Sequence, residues 1–189
     1  MPVARYIVLG VFLIAGVTLF VFASRRTQAI QKAWAAYARE RGYAVAPMQV
    51  KGVWNGVAFT IDTTAGSRGS KVMRISAKGS AASSAVVDIR QRDRLAPAPS
   101  ELQVVRVDDA ELERAYIVAT DNPAFVQALL TPVVRSELVE LGARAPSTGA
   151  IRVAYRAGQV EAIWALEERA EALDAGVRLV TAMARVASC

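Results

Sequence analysis

Eighteen consecutive residues, Tyr6 to Ala23, carry no charge, and past Tyr6 only Thr18 has a polar side chain. At a rise of about 1.5 Å per residue, a helix of that length is about 27 Å long, enough to cross a hydrocarbon core. A secretory signal core is shorter, about 7–15 residues, and follows a basic segment. Here only MPVAR, with one arginine, precedes the run. The run therefore predicts a transmembrane helix over 6–23 behind a short tail, 1–5. Val21-Phe22-Ala23 satisfies the small-residue rule for cleavage after Ala23, which makes an exported or periplasm-facing chain the alternative.

Charge favours the anchor. Arg25, Arg26, Lys32, Arg39 and Arg41 follow the run, offset by Glu40 alone, against Arg5 before it. Basic residues within about 20 positions of a membrane helix hold that flank in the cytoplasm. The expectation is a single-pass protein of the inner (cell) membrane, touching the bilayer through 6–23, with its C-terminal domain cytoplasmic. Gly10 and Gly16 are six apart, not the spacing that pairs transmembrane helices.

The rest of the 189-residue chain is long enough to bury a core without staples. It has one cysteine, Cys189, and no histidine. No intramolecular disulfide can form, which mildly favours a reducing compartment. The commonest neutral-pH base and metal ligand is missing, so the usual zinc sites and the serine–histidine and cysteine–histidine nucleophiles are excluded. The net charge of +6 permits attraction to anionic lipid or nucleic acid without requiring it.

Beyond Ala23 the periodicity changes twice. Ala29, Ile30, Ala33, Trp34, Tyr37 and Ala38 recur at spacings of three and four, predicting a juxtamembrane helix over 24–42 that stops at Gly42. Trp34 lies too far beyond Ala23 for an interfacial anchor, so it is expected to pack against the domain. Period two then takes over in QVKGVW (49–54) and VAFTID (57–62), either side of Asn55-Gly56, a type I′ hairpin signal. KVMRISA (71–77) and AVVDIRQR (85–92) continue the alternation, with Arg74, Asp88, Arg90 and Arg92 outward. These read as an antiparallel meander with one wet face. Strands are also expected at 103–107 and 116–120, with a turn or short helix between.

Asp121-Asn122-Pro123 and Thr131-Pro132 each place a side-chain oxygen before a proline, the mark of a helix start. The second helix is expected to stop at Gly142. AIRVAYR (150–156) and QVEAIWA (159–165) form a hairpin across Ala157-Gly158, and a helix from about Leu166 closes the chain. Strands cluster rather than alternate with helices, so the class is α+β: a soluble domain over 43–189 whose antiparallel sheet is packed by helices on one face.

No segment carries a recognisable chemistry. AGSRGSK (65–71) has two residues between its glycines and Val72 after its lysine, so it is a hairpin loop and not a phosphate loop. Ser70-Lys71 and Ser76-x-Lys78 lack the desolvation a serine–lysine dyad needs. Glu101, Asp108, Asp109, Glu111 and Glu113 lack calcium-loop spacing and read as a solvated turn with helix-start carboxylates. The basic set Arg68, Lys71, Arg74, Lys78, Arg90, Arg92 and Arg94 is the most suggestive cluster. Arg74, Arg90 and Arg92, with Arg25 and Arg26, are the candidate contact with anionic lipid or a partner. No aromatic is interleaved among them, which argues against nucleic acid.

The anchor exit, AWAAYARERGY, the Gly52-Val53-Trp54-Asn55-Gly56-Val57 hairpin and DNPAFVQALLTP together resemble uncharacterised bacterial proteins with one N-terminal anchor and a small α+β domain. The resemblance implies no enzyme activity and supplies no functional residues. The expected function is a membrane-anchored, non-catalytic interaction or scaffolding protein that binds another protein. It needs no cofactor, metal or identifiable small-molecule substrate. A carboxylate-dependent enzyme is the third reading.

Overall fold

The computed structural model describes residues 25–66, 70–79, 83–92, 99–145 and 150–187. The membrane helix expected over 6–23, the tail before it, the cleavage site at Ala23, Arg68, Arg94 and Cys189 lie outside the described residues. Among the described residues no helix is long and apolar enough to cross a membrane.

Among the described residues the first element is helix α1, residues 25–41. Gly42 ends it with φ +70°, and the Tyr43 N–H closes back on the Ala38 carbonyl at 2.8 Å. Strands β1 (Ala44–Ala46), β2 (Gln49–Trp54), β3 (Val57–Ala65), β4 (Lys71–Lys78) and β5 (Val87–Gln91) follow. Next come β6 (Gln103–Val105), α2 (Ala110–Ala115), β7 (Tyr116–Thr120), α3 (Pro123–Leu129) and α4 (Pro132–Arg144). The chain continues through β8 (Arg152–Arg156) and β9 (Gln159–Ala165) to α5 (Ala170–Val186).

Turn and cap chemistry sets the element ends. Asn55 and Gly56 both have positive φ, 49° and 83°, as a type I′ turn requires. The Asp109 carboxylate caps α2, Asn122 caps α3 and Thr131 caps α4; Pro123 and Pro132 open the last two.

Among the described residues the strands form one antiparallel sheet of nine, in the order β1-β2-β3-β4-β9-β8-β5-β7-β6. The class is α+β, as expected. The continuous meander is not: β1 to β4 follow one another, but the β8–β9 hairpin lies between β4 and β5. Alternation decides which face a residue joins, not which strand lies beside it. Met73 faces Trp164 and Ile75 faces Ala162 across β4 and β9, all four buried in the core. The eight residues of 79–86 are far longer than a tight hairpin needs. Extended, they reach roughly 26 Å, against about 14 Å for three strand spacings.

One face of the sheet is packed. Val50, Phe59, Ile61, Met73, Ile75, Val87, Ile89, Val153, Tyr155 and Trp164 point into it and join residues of α1, α4 and α5 in a single core cluster. Helix α5 is the central helix: Leu173, Val177, Val180 and Ala184, which recur at spacings of three and four, are all buried. It begins at Ala170, not Leu166, because Glu167 holds the preceding backbone extended. That carboxylate accepts the N–H groups of Glu168 and Arg169, each at 2.9 Å.

Gly176 is where α5 meets the sheet. A Cβ there would strike the Trp164 ring and come within 2.7 Å of Ile75 Cδ1. The Trp164 Nε1–H is buried there and has no acceptor among the described residues. Gly176→Ala raises helix propensity by about 1 kcal/mol, but wedges α5 off a rigid ring, an overpacking that costs about 1–3 kcal/mol. The expected outcome is a net loss of up to about 2 kcal/mol, read as a lower urea midpoint at unchanged slope.

Gly142, expected as a helix stop, lies inside α4. Its missing Cβ makes room for the Tyr116 hydroxyl, which would otherwise sit at 2.7 Å and which donates to the Leu138 carbonyl at 2.9 Å. Burial pushes the Tyr116 phenol up to about 12.

Candidate functional site

The packed side of α1 is tied to the domain. Trp34 is 1% exposed and donates its Nε1–H to the Glu167 carbonyl at 2.8 Å. Asp174 on α5 accepts from Tyr37 Oη at 3.0 Å, and from Arg41 Nε at 3.0 Å and Nη2 at 2.6 Å. The Arg41 guanidinium also lies 4.3 Å from the centre of the Tyr37 ring. Burial, with the Asp174 charge and hydrogen bond, pushes the Tyr37 phenol well above its ordinary value. Helix α1 thus shares the core of the domain.

The open face of the sheet carries ion pairs. Arg74 on β4 grips Asp62 on β3 through Nε at 2.9 Å and Nη2 at 2.8 Å, and reaches Glu161 on β9 at 3.4 Å. Arg90 on β5 holds Asp88 of its own strand, at 2.6 Å and 3.0 Å. Arg152 on β8 donates to the same carboxylate at 3.1 Å and 2.6 Å. Asp88 is only 3% exposed, although it faces the open side. Burial alone would raise its carboxyl, but the Arg90 and Arg152 hydrogen bonds and charges outweigh that and hold it below the ordinary range.

The five candidate arginines are therefore not one positive surface. Arg74 and Arg90 do face the open side, but β9 and β8 lie between their strands and each is matched to carboxylates. Arg92 lies just past β5 and donates to the Glu113 and Tyr116 carbonyls at the end of α2, at 3.1 Å and 3.4 Å. Arg25 and Arg26 stand exposed at the start of α1. Sequence reading missed the partners Asp62, Glu161 and Arg152. Their parity was legible, but cross-strand neighbours depend on register.

The largest concavity described, about 610 Å³, opens between the loop before α2 and helices α3 and α4; Arg106, Asp108, Glu113, Val126, Gln127 and Arg135 line it. Its walls serve the backbone. Arg135 donates to the Leu130 carbonyl at 2.8 Å and the Asp108 carbonyl at 3.1 Å, and Glu113 accepts the Val107 N–H at 3.0 Å. Asp109 is the α2 cap. Among the described residues no group of three or more acidic, cysteine or histidine side chains could hold a metal ion.

No protein-family model matches the sequence, and no curated protein does. The fold resembles that of the mycobacterial trehalose monomycolate transport factor A, TtfA. The TtfA crystal structure aligns with a TM-score of 0.58 at 13% identity, over 82% of this chain and 92% of that one. At that identity the likeness to TtfA is one of fold.

Proposed function

We propose that this chain is a non-catalytic, membrane-anchored transport factor of the cell envelope, with its domain on the cytoplasmic side and working through contact with another protein. The observation that carries the reading is the shared fold with TtfA, a trehalose monomycolate transport factor, over most of both chains. The charge bias after the apolar run supports the topology. The ionisable groups support the absence of turnover. Arg90 and Arg152 keep Asp88 ionised, Arg169 and two backbone N–H groups do the same for Glu167 against its burial, and Tyr37 and Tyr116 are raised. Each of these shifts moves a pKa further from neutral pH, the reverse of what acid–base catalysis at that pH needs.

The test is depletion of the protein in its own cell with a pulse-chase of labelled envelope glycolipid, alongside protease treatment of intact spheroplasts. Precursor should accumulate while the domain stays protected. Unchanged lipid flux would sink the transport role. Digestion of the domain in intact spheroplasts would sink the topology, and a mature N-terminus at Ser24 would establish the exported alternative.

A further inference from the structure

Helix α1 has two faces of different chemistry. Ile30, Trp34, Tyr37 and Ala38 are buried on the domain side, where Arg41 also meets Asp174. Opposite them, Arg25, Lys32 and Arg39 recur every seventh residue, which at 3.6 residues per turn puts them on one stripe. All three are exposed, as is Arg26, which lies about 100° around the helix from Arg25 and outside the stripe. None of the four has an ion-pair partner among the described residues, in contrast to Arg74, Arg90 and Arg152 on the sheet. Glu40 is the one acidic residue of 25–41, and it pairs with Arg41 at 3.4 Å. Between the basic residues the stripe exposes Gln28, Ala29 and Ala36. It is flat and has no large apolar side chain to insert among acyl chains.

We propose that this face of α1 docks along the anionic headgroups of the membrane in which residues 6–23 sit, so that α1 lies parallel to the bilayer surface and, through Trp34 and Asp174, sets the orientation of the domain. The proposal rests on the anchored reading above. Two arguments select lipid as the occupant. The apolar run ends two residues before Arg25, so the stripe begins at the membrane. Its uncompensated positive charge complements anionic phospholipid, where each nearby basic residue strengthens attachment about fivefold. Were α1 to continue straight along the membrane normal, Arg39 would stand about 21 Å beyond Arg25, well past a Debye length of about 8 Å, and could contribute nothing.

The test uses the full chain in phosphatidylcholine vesicles, with or without roughly a third phosphatidylglycerol. Ala36→Cys, in a Cys189→Ser background, carries a dye read by a quencher attached to lipid headgroups. Strong quenching is expected only with phosphatidylglycerol. It should be lost in high salt and in the Lys32→Gln/Arg39→Gln variant, whose docked-to-undocked ratio should fall on the order of 25-fold. Flotation with the vesicles should be unchanged in that variant. Quenching that is indifferent to phosphatidylglycerol would overturn the docking alone and leave the stripe to an acidic protein surface. A wild-type chain that does not float would remove the anchored reading, and the docking with it.

Discussion

Trp34→Ala is expected to lower the stability of the domain by about 4 kcal/mol, the range for emptying a buried tryptophan site. The ring is 1% exposed and belongs to the same core cluster as Trp164 and Leu173. Its Nε1–H also satisfies the buried Glu167 carbonyl, in the extended segment that leads into α5. Trp34→Phe separates the two contributions. It keeps most of the volume and drops the hydrogen bond, so about 1–2 kcal/mol should be lost. Guanidinium unfolding measures both. A Trp34→Ala loss below about 1 kcal/mol would mean that α1 is not part of the folded unit. The orientation argued for the domain at the membrane depends on that attachment.

Asp88→Asn is expected to cost about 2–3 kcal/mol at neutral pH, because it leaves Arg90 and Arg152 facing a neutral amide. Arg152 is 43% exposed and can recover hydration, which keeps the cost at the lower end of the range for broken buried pairs. The pH dependence has a definite sign. The folded Asp88 carboxyl titrates below its unfolded value, so its contribution is complete above the unfolded value of about 3.9 and is lost as pH falls through the folded one. Glu167 behaves in the same way. Wild type and Asp88→Asn should therefore differ most at neutral pH and converge in acid. A gap that stays constant down to about pH 2 would show that the cost is one of packing and not of the ion pair.

Much of the site was legible at the level of faces and not of partners. Period two in KVMRISA and AVVDIRQR put Arg74 and Arg90 on the open side, where they are. The same pattern said nothing of Asp62 opposite Arg74, or of Arg152 opposite Arg90, because these pairs follow from register. On the sheet, Arg74, Arg90 and Arg152 are neutralised by Asp62, Glu161 and Asp88. Exposed basic residues with no ion-pair partner among the described residues recur on α1 at a seven-residue spacing open to reading beforehand. What hid it was that Arg41, which looks like one of the set, turns inward to Asp174.

Sequence by itself determined the class, the Asn122 and Thr131 helix starts, the Asn55-Gly56 turn and the open-side placement of Arg74 and Arg90. These depend on backbone preferences and on side-chain period, both local. Only the tertiary structure decided that β8 and β9 enter between β4 and β5, that Gly142 admits Tyr116, and that Gly176 admits Trp164. Each of these brings together residues distant along the chain, and the outcome rests on complementary volume and available space, which neither period nor propensity encodes.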